Sequence, residues 1–542
     1  MPPKISWRSS KNFWPNHSRN STLSKTLSPN FVGMPITRSM NRRAFIQRGA
    51  ACAAVGGLTD LGFLSKLGSV SAAETTLKPR MVQLHREIEP LVRLLETTSR
   101  DRVIEEVASR IRRGLTYREV LAAVLLAGVR NIRPHPVGFK FHAVLVINSA
   151  HLASLSSPDS DRWLPILWAI DKFKASQAED EQQGDWQLGP VDESAVPPSH
   201  KARAAFIEAM DNWDEAAADV AITGLARTAG AHEIFEILCR YGARDFREIG
   251  HKAIYVANSF RTLEAIGWEH AEPVLRSLAL ALLDRTGDKQ NPAKADLPAD
   301  RPFRRNLAAL QEIRPGWLDG KPDADGSRQI LQAVRQGSSA DVSQRAIELL
   351  NGGVAPQSIF DGLCLAAGEG VIRAPGILSL HAVTCTNAMH YAWQHTRDEQ
   401  TRKLLLLQNC AFLPLFRGNK QDEGTRMDEL TPLATKATGP DAVAEIFSEL
   451  SSKTRVDAAR KVLSYLEAGG EPRVFADAAR RLIFAKGNDA HDYKFSSAVL
   501  EDYHFIPGEL GNRYLAASVA YLKGSGASDT KLVTRIREVL KA

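Results

Sequence analysis

The stretch FKFHAVLVINSAHLAS, from Phe139 to Ser154, decides the fold because it recurs in step as LSLHAVTCTNAMHYAW, from Leu378 to Trp393. His142, Asn148 and His151 fall on His381, Asn387 and His390 at one offset of 239 residues. Outward from this core the register holds without a gap. Val103 meets Val342, Gly114 meets Gly353, Pro136 meets Pro375 and Phe173 meets Phe412. Self-similarity at a fixed spacing is the signature of a repeated structural unit. A second echo, His251 in GHKAIYVANSF and His491 in HDYKFSSAVLED, lies 240 residues apart. Each half of the chain therefore carries two histidine-bearing segments.

Apolar residues recur at spacings of three and four over Met81 to Thr97, Arg102 to Arg113, Tyr117 to Val129, His142 to Leu155 and Arg162 to Lys174. That period predicts amphipathic helices, and strand-like alternation is almost absent. The expected fold is all-α: an internally duplicated multi-helix architecture of two quasi-equivalent halves, spanning residues 75–290 and 300–542. Polar breaks at Ser176 to His200, Thr286 to Pro302 and Arg417 to Pro440 interrupt it. The middle one reads as the linker between halves, and the outer two as lids or binding loops.

Residues 1–74 stand apart as a leader. Residues 1–39 are polar, basic and rich in Ser, Asn and Pro, a composition that cannot bury a core. Arg42, Arg43 and Phe45 then open an apolar run from Gly49 to Leu67 that ends in small residues, Ser69 to Ala73. Paired arginines, a modest apolar segment and a small-residue cleavage site make a twin-arginine export signal, which places the mature protein in the periplasm or outside the cell.

The leader also carries the basicity. Of 69 Lys and Arg against 62 Asp and Glu, the leader holds ten and two, leaving the remainder at a net charge of −1. No nucleic-acid footprint remains, and no later apolar run has the length of a membrane span. Cys239, Cys364, Cys385 and Cys410 sit in apolar helical context and read as buried free thiols rather than a disulfide framework.

Histidine serves proton transfer near neutral pH, and its neutral nitrogen binds metals. His142, His251, His381 and His491 are the candidates. His151 and His390 point away from them on a straight helix and read as packing residues. Glycine-rich nucleotide loops, GxSxG and HExxH are missing. Glu501-Asp502-Tyr503-His504 is a lone fit to the Glu-x-x-His pattern of di-iron bundles, without a partner at the equivalent place. No motif identifies a cofactor; a metal ion or NADPH are the candidates.

The segments Leu380-His381-Ala382-Val383-Thr384, Gly250-His251 and His491-Asp492-Tyr493-Lys494-Phe495 resemble the helical motifs of the questin oxidase-like family. Lys252-Ala253 departs from that pattern after His251. The resemblance implies an all-helical oxidoreductase performing an oxidative, Baeyer-Villiger-type ring opening on an apolar or aromatic ketone-like small molecule. It assigns catalytic roles to His251, His381, His491 and Lys494, to which the repeat adds His142. The fuller motifs at His381 and His491 direct attention to the second half. The alternative is a non-catalytic helical-repeat binding or scaffold protein of the cell envelope. An enzyme expects the four histidines around one enclosed pocket, a scaffold expects them dispersed and bonded to backbone.

Overall fold

The computed structural model describes residues 81–417, 424–487 and 489–541. Arg42, Arg43 and Phe45 of the export motif lie outside the described residues, as does part of the break after Arg417. Among the described residues all regular structure is helical apart from an isolated bridge between Lys321 and Val354. Residues 78–542 cluster as one compact unit. No described helix is long and apolar enough to cross a membrane.

Local sequence sets the helix ends. Thr116 accepts from the Glu119 amide while Glu119 reaches back to the Thr116 amide, starting the helix Tyr117–Asn131 with a capping box; Ser338 and Asp341 do the same for Ser339–Asn351. Such caps contribute about 1 kcal/mol each. The first helix is shorter than its periodicity predicts, running over Glu89–Thr97. Pro90 suits a first helical turn, and upstream the chain is extended, with the Val82 amide on the Leu188 carbonyl at 2.8 Å.

The break expected from Ser176 is likewise shorter. Helix continues over Leu164–Gln182 and resumes at Ser199–Asn212. Ser176, Gln177 and Asp180 are polar but buried, and the latter two have partners: Lys174 bonds Gln177 at 2.5 Å, and the Asp180 carboxylate accepts from the Arg133 amide at 3.0 Å and the Trp186 amide at 2.8 Å. Composition reads such residues as a loop, but buried polar groups with partners cost the helix little. The middle break, expected as the linker between halves, is held in place. Arg247 ties it down through Asp288 and Asp300, both at 2.7 Å.

Four segments form a ring at the centre. The pair His142–Leu145 and Ile147–Leu155 packs on His251–Ile266, which packs on Ile377–His395, which packs on Ala490–Asp502, and this returns to Ile147–Leu155. In Ile377–His395 every residue from Ser379 to Trp393 is buried. A helix covered on all sides belongs to the middle of a large core. The expected single helix from His142 to Leu155 is divided at Val146. There the Leu145 carbonyl is taken by the side chain of Asn258 at 2.9 Å. Gly250, at φ +85°, lets the His251 helix approach its neighbour. A Cβ there would lie 2.6 Å from the Cys385 sulfur, a clash no side chain tolerates.

Candidate active site

The ring brings His142, His251, His381 and His491 to one level. Neighbouring imidazoles lie 4.8 Å (142 and 251), 4.5 Å (251 and 381), 5.2 Å (381 and 491) and 4.5 Å (491 and 142) apart, centre to centre. The diagonal from His142 to His381 is 6.3 Å. Two histidines come from each half of the chain, so the second half does not hold a site of its own. Around the ring two neighbouring segments from residues 75–290 are followed by two from residues 300–542, and each pair contributes half of the cluster.

Each ring is held through Nδ1. His142 bonds the Phe139 carbonyl at 2.8 Å, His251 the Glu248 carbonyl at 2.6 Å and His381 the Ile377 carbonyl at 2.7 Å. His491 bonds the Asp489 carboxylate at 2.6 Å, and that contact holds the Asp489 carboxyl well below the usual range. A carbonyl oxygen only accepts, so Nδ1 carries the proton in the first three rings and Nε2 is left as a lone pair. Those lone pairs face each other. His251 Nε2 stands 3.0 Å from His142 Nε2 and 2.8 Å from His381 Nε2. His491 Nε2 is buried without a partner.

Two lone pairs at hydrogen-bond distance repel unless a proton or a cation lies between them. A proton is disfavoured. Burial, reinforced by the charge of Lys494, lowers His142 and His251 well below 6.5 and His381 to about 2. A metal ion is the remaining cation, and a suitable donor of this kind typically sits about 2.0–2.1 Å from it. Two such nitrogens at a right angle around one ion are separated by about 2.9 Å. His142, His251 and His381 have ligand nitrogens all within 4.8 Å of one another, and the fixed Nδ1 contacts are the second-layer bonds that orient ligating imidazoles.

Lys494 lies one helical turn after His491. It is buried, its amino nitrogen has no partner, and burial lowers its pKa to about 7. Lys252, where the family pattern is broken, is directed elsewhere. Its ammonium binds Asp245 at 2.9 Å and the Asp284 carbonyl at 2.6 Å. His151 contacts the Tyr117 hydroxyl at 3.2 Å and His390 bonds Gln357 at 3.0 Å, both away from the cluster. Glu501 binds Arg261 at 2.7 Å and Asn387 at 2.9 Å, while His504 lines an outer cleft, so the two do not form a di-iron ligand pair. The four thiols among the described residues are free and buried, and burial raises Cys385 to about 12, leaving it inert as a nucleophile.

The histidines open into a cavity of about 540 Å³ whose wall includes Phe139, Lys172, Glu248, Ile249, Ile377 and Asp489. None of these six is visible as a site residue from sequence pattern. Three carry backbone strain: φ is +47° at Phe139, +54° at Glu248 and +46° at Ile249. Non-glycine residues in that region cost about 1–3 kcal/mol each and gather at functional sites. The strain has a local purpose, because the Phe139 and Glu248 carbonyls are the ones that fix His142 and His251. No protein-family model, curated protein or solved structure matches this chain.

Proposed function

We propose that the chain is a metal-dependent oxidoreductase with one active site, built from His142, His251, His381 and His491, acting on an apolar or aromatic ketone-like small molecule. The observation that carries this reading is the pair of Nε2 to Nε2 separations, 3.0 and 2.8 Å, between rings whose Nδ1 protons are already committed. Only a shared cation satisfies that arrangement without charging buried imidazoles.

His142, His251 and His381 would hold the ion, with the His491 ring beside them, 4.5 Å from that of His142. When bound, the ion would supply Lewis acidity to a carbonyl oxygen and, if redox-active, would accept electrons removed from the substrate. The rest falls to the chain. The ring buries the histidine layer on its helix side, and the apolar wall at Phe139, Ile249 and Ile377 receives the substrate's hydrocarbon. Lys494, with a pKa of about 7, accepts or returns a proton at neutral pH. The resemblance to the questin oxidase-like family supports the choice of an oxidative reaction on a ring ketone.

The duplicated two-half architecture is part of the same proposal. Helix positions support it: Val103–Arg112 is answered by Ser339–Asn351, Tyr117–Asn131 by Pro356–Arg373, Ser199–Asn212 by Gly439–Glu449, Glu215–Thr228 by Arg455–Glu467 and Ala271–Leu282 by Gly508–Ser518, all near the same offset. Arg42 and Arg43 add export through the twin-arginine route, testable by sequencing the N-terminus of the secreted protein. Convergence of the four histidines counts against the scaffold reading. The deciding experiment is metal analysis and an absorption spectrum of the purified protein beside its four single His→Ala variants. Retained metal that each variant loses supports the reading. A colourless, metal-free protein whose variants fold and bind small aromatics like the parent rejects it.

A further inference from the structure

Among the large apolar side chains of the described residues, Phe139 is the most exposed, at 72%. It stands on the wall of the histidine cavity. Three observations make this exposure informative. First, its backbone is held at φ +47°, which a bulky side chain rarely adopts. That conformation aims the Phe139 carbonyl at His142 Nδ1 while turning the ring outward. Second, the neighbouring backbone sits against the cluster: a Cβ on Gly138 would come within 3.4 Å of the His251 ring. Third, the residue 239 positions on is Leu378, 43% exposed, next to Ile377, 48% exposed, and Ile377 also lines the cavity. The wall thus pairs an aromatic side with an aliphatic side.

An exposed phenyl costs stability that burial would return. Here the exposure is enforced by a backbone whose carbonyl the site needs. We propose that Phe139 is the specificity-determining residue of the cavity, its ring stacking on the face of a flat aromatic substrate held between it and Ile377. This rests on the histidine cavity being the active site. Aromatic pairs are worth about 0.5–1.5 kcal/mol beyond area burial, so removal of the ring should discriminate against flat aromatics by up to about tenfold.

The test uses two alcohols of similar size, aromatic 2-naphthol and saturated 2-decalol, titrated against the metal-loaded protein and its Phe139→Ala, Phe139→Leu and Phe139→Trp variants. Phe139→Ala and Phe139→Leu are expected to bind 2-naphthol about five- to tenfold more weakly relative to 2-decalol. Phe139→Trp is expected to retain 2-naphthol and to change its indole emission on binding. Metal content should be unchanged in all three, which also shows that they fold. Failure of 2-naphthol to bind the parent overturns the proposal, as does equal loss of both alcohols or unaltered affinity in Phe139→Leu. Failure of the metal reading appears separately, as absence of metal from every sample, while the ratio of the two alcohols still reports on Phe139.

Discussion

Two polar layers cross the same ring of helices. In one, six to eleven residues beyond the histidines along the ring helices, Arg261 reaches Glu501 at 2.7 Å and Asn387 at 3.2 Å; Asn387 donates to Asp502 at 2.8 Å, and Tyr514, from a neighbouring helix, donates to Asp502 at 3.2 Å. Every charge there has an opposite charge or a donor. In the histidine layer the Nδ1 sides are equally well ordered, yet the Nε2 sides meet lone pair to lone pair, and His491 Nε2 and Lys494 Nζ have no partner. Asn387, Asp502 and Tyr514 in the first layer and His142, His251, His381 and Lys494 in the second are all buried. The first is complete as protein; the second leaves donor atoms for the ion proposed above. Arg261 and Glu501 lie 240 residues apart, the spacing of His251 and His491. Where the histidine layer keeps the same residue at both places, the closed layer has a cation on one side and an anion on the other.

The comparison is sharpest at Lys494. Its folded pKa of about 7 lies below the ordinary 10.5, so the unfolded chain binds more protons between those values. The resulting penalty is full below about pH 7 and fades as pH rises toward 10.5, so the metal-free protein gains stability over that window. Lys494→Met should stabilise the metal-free protein by several kcal/mol, roughly 5 at most, at pH 6 and by little at pH 10. Urea unfolding at the two pH values measures it. Equal effects at both would place the Lys494 amine in solvent.

Arg261→Ala attacks the closed layer. Removing one partner of a buried ion pair costs about 3–5 kcal/mol, and the partial exposure of Glu501 brings the expectation to about 3. The metal affinity of the folded variant should be retained. If Arg261→Ala instead abolishes metal binding while leaving the unfolding midpoint unchanged, the roles assigned to the two layers are reversed. Asp489→Asn weakens the acceptor behind His491 and should lower metal affinity about 10–100-fold with a smaller effect on stability, read by competition with a chelator. The smallest effect is expected from His151→Ala, whose side chain contacts Tyr117. Metal content should stay at the parent's level, and its loss would bring His151 into the site.

Much of this was legible in the sequence. Helical periodicity gave the all-α class, and the repeat singled out the four histidines that the ring assembles. The separation of His381 from His390 also follows from helical geometry, since nine residues leave them on opposite sides of the unbroken helix Ile377–His395. What periodicity misses is satisfied polarity. Ser176 to Asp180 read as a break because composition does not show that Asp180 receives two backbone amides. The Val146 division depends on Asn258, more than a hundred residues away. The cavity wall is illegible for another reason: Phe139, Glu248 and Ile249 act through their backbone carbonyls or strained conformations, which their identities do not announce. Arg261 and Glu501 were findable, because they share the offset of two histidines already marked, but a search for matching residues passes over a pair related by opposite charge.

The central claim is that the Nε2 atoms of His142, His251 and His381 meet on one ion, and X-ray absorption of the metal-loaded protein tests it most directly. The account predicts one ion per chain, with a first shell of at least three imidazole nitrogens that loses one in His381→Ala. A protein that retains no ion after loading with iron, cobalt, manganese or zinc, or one whose ion shows no imidazole in its first shell, would contradict it.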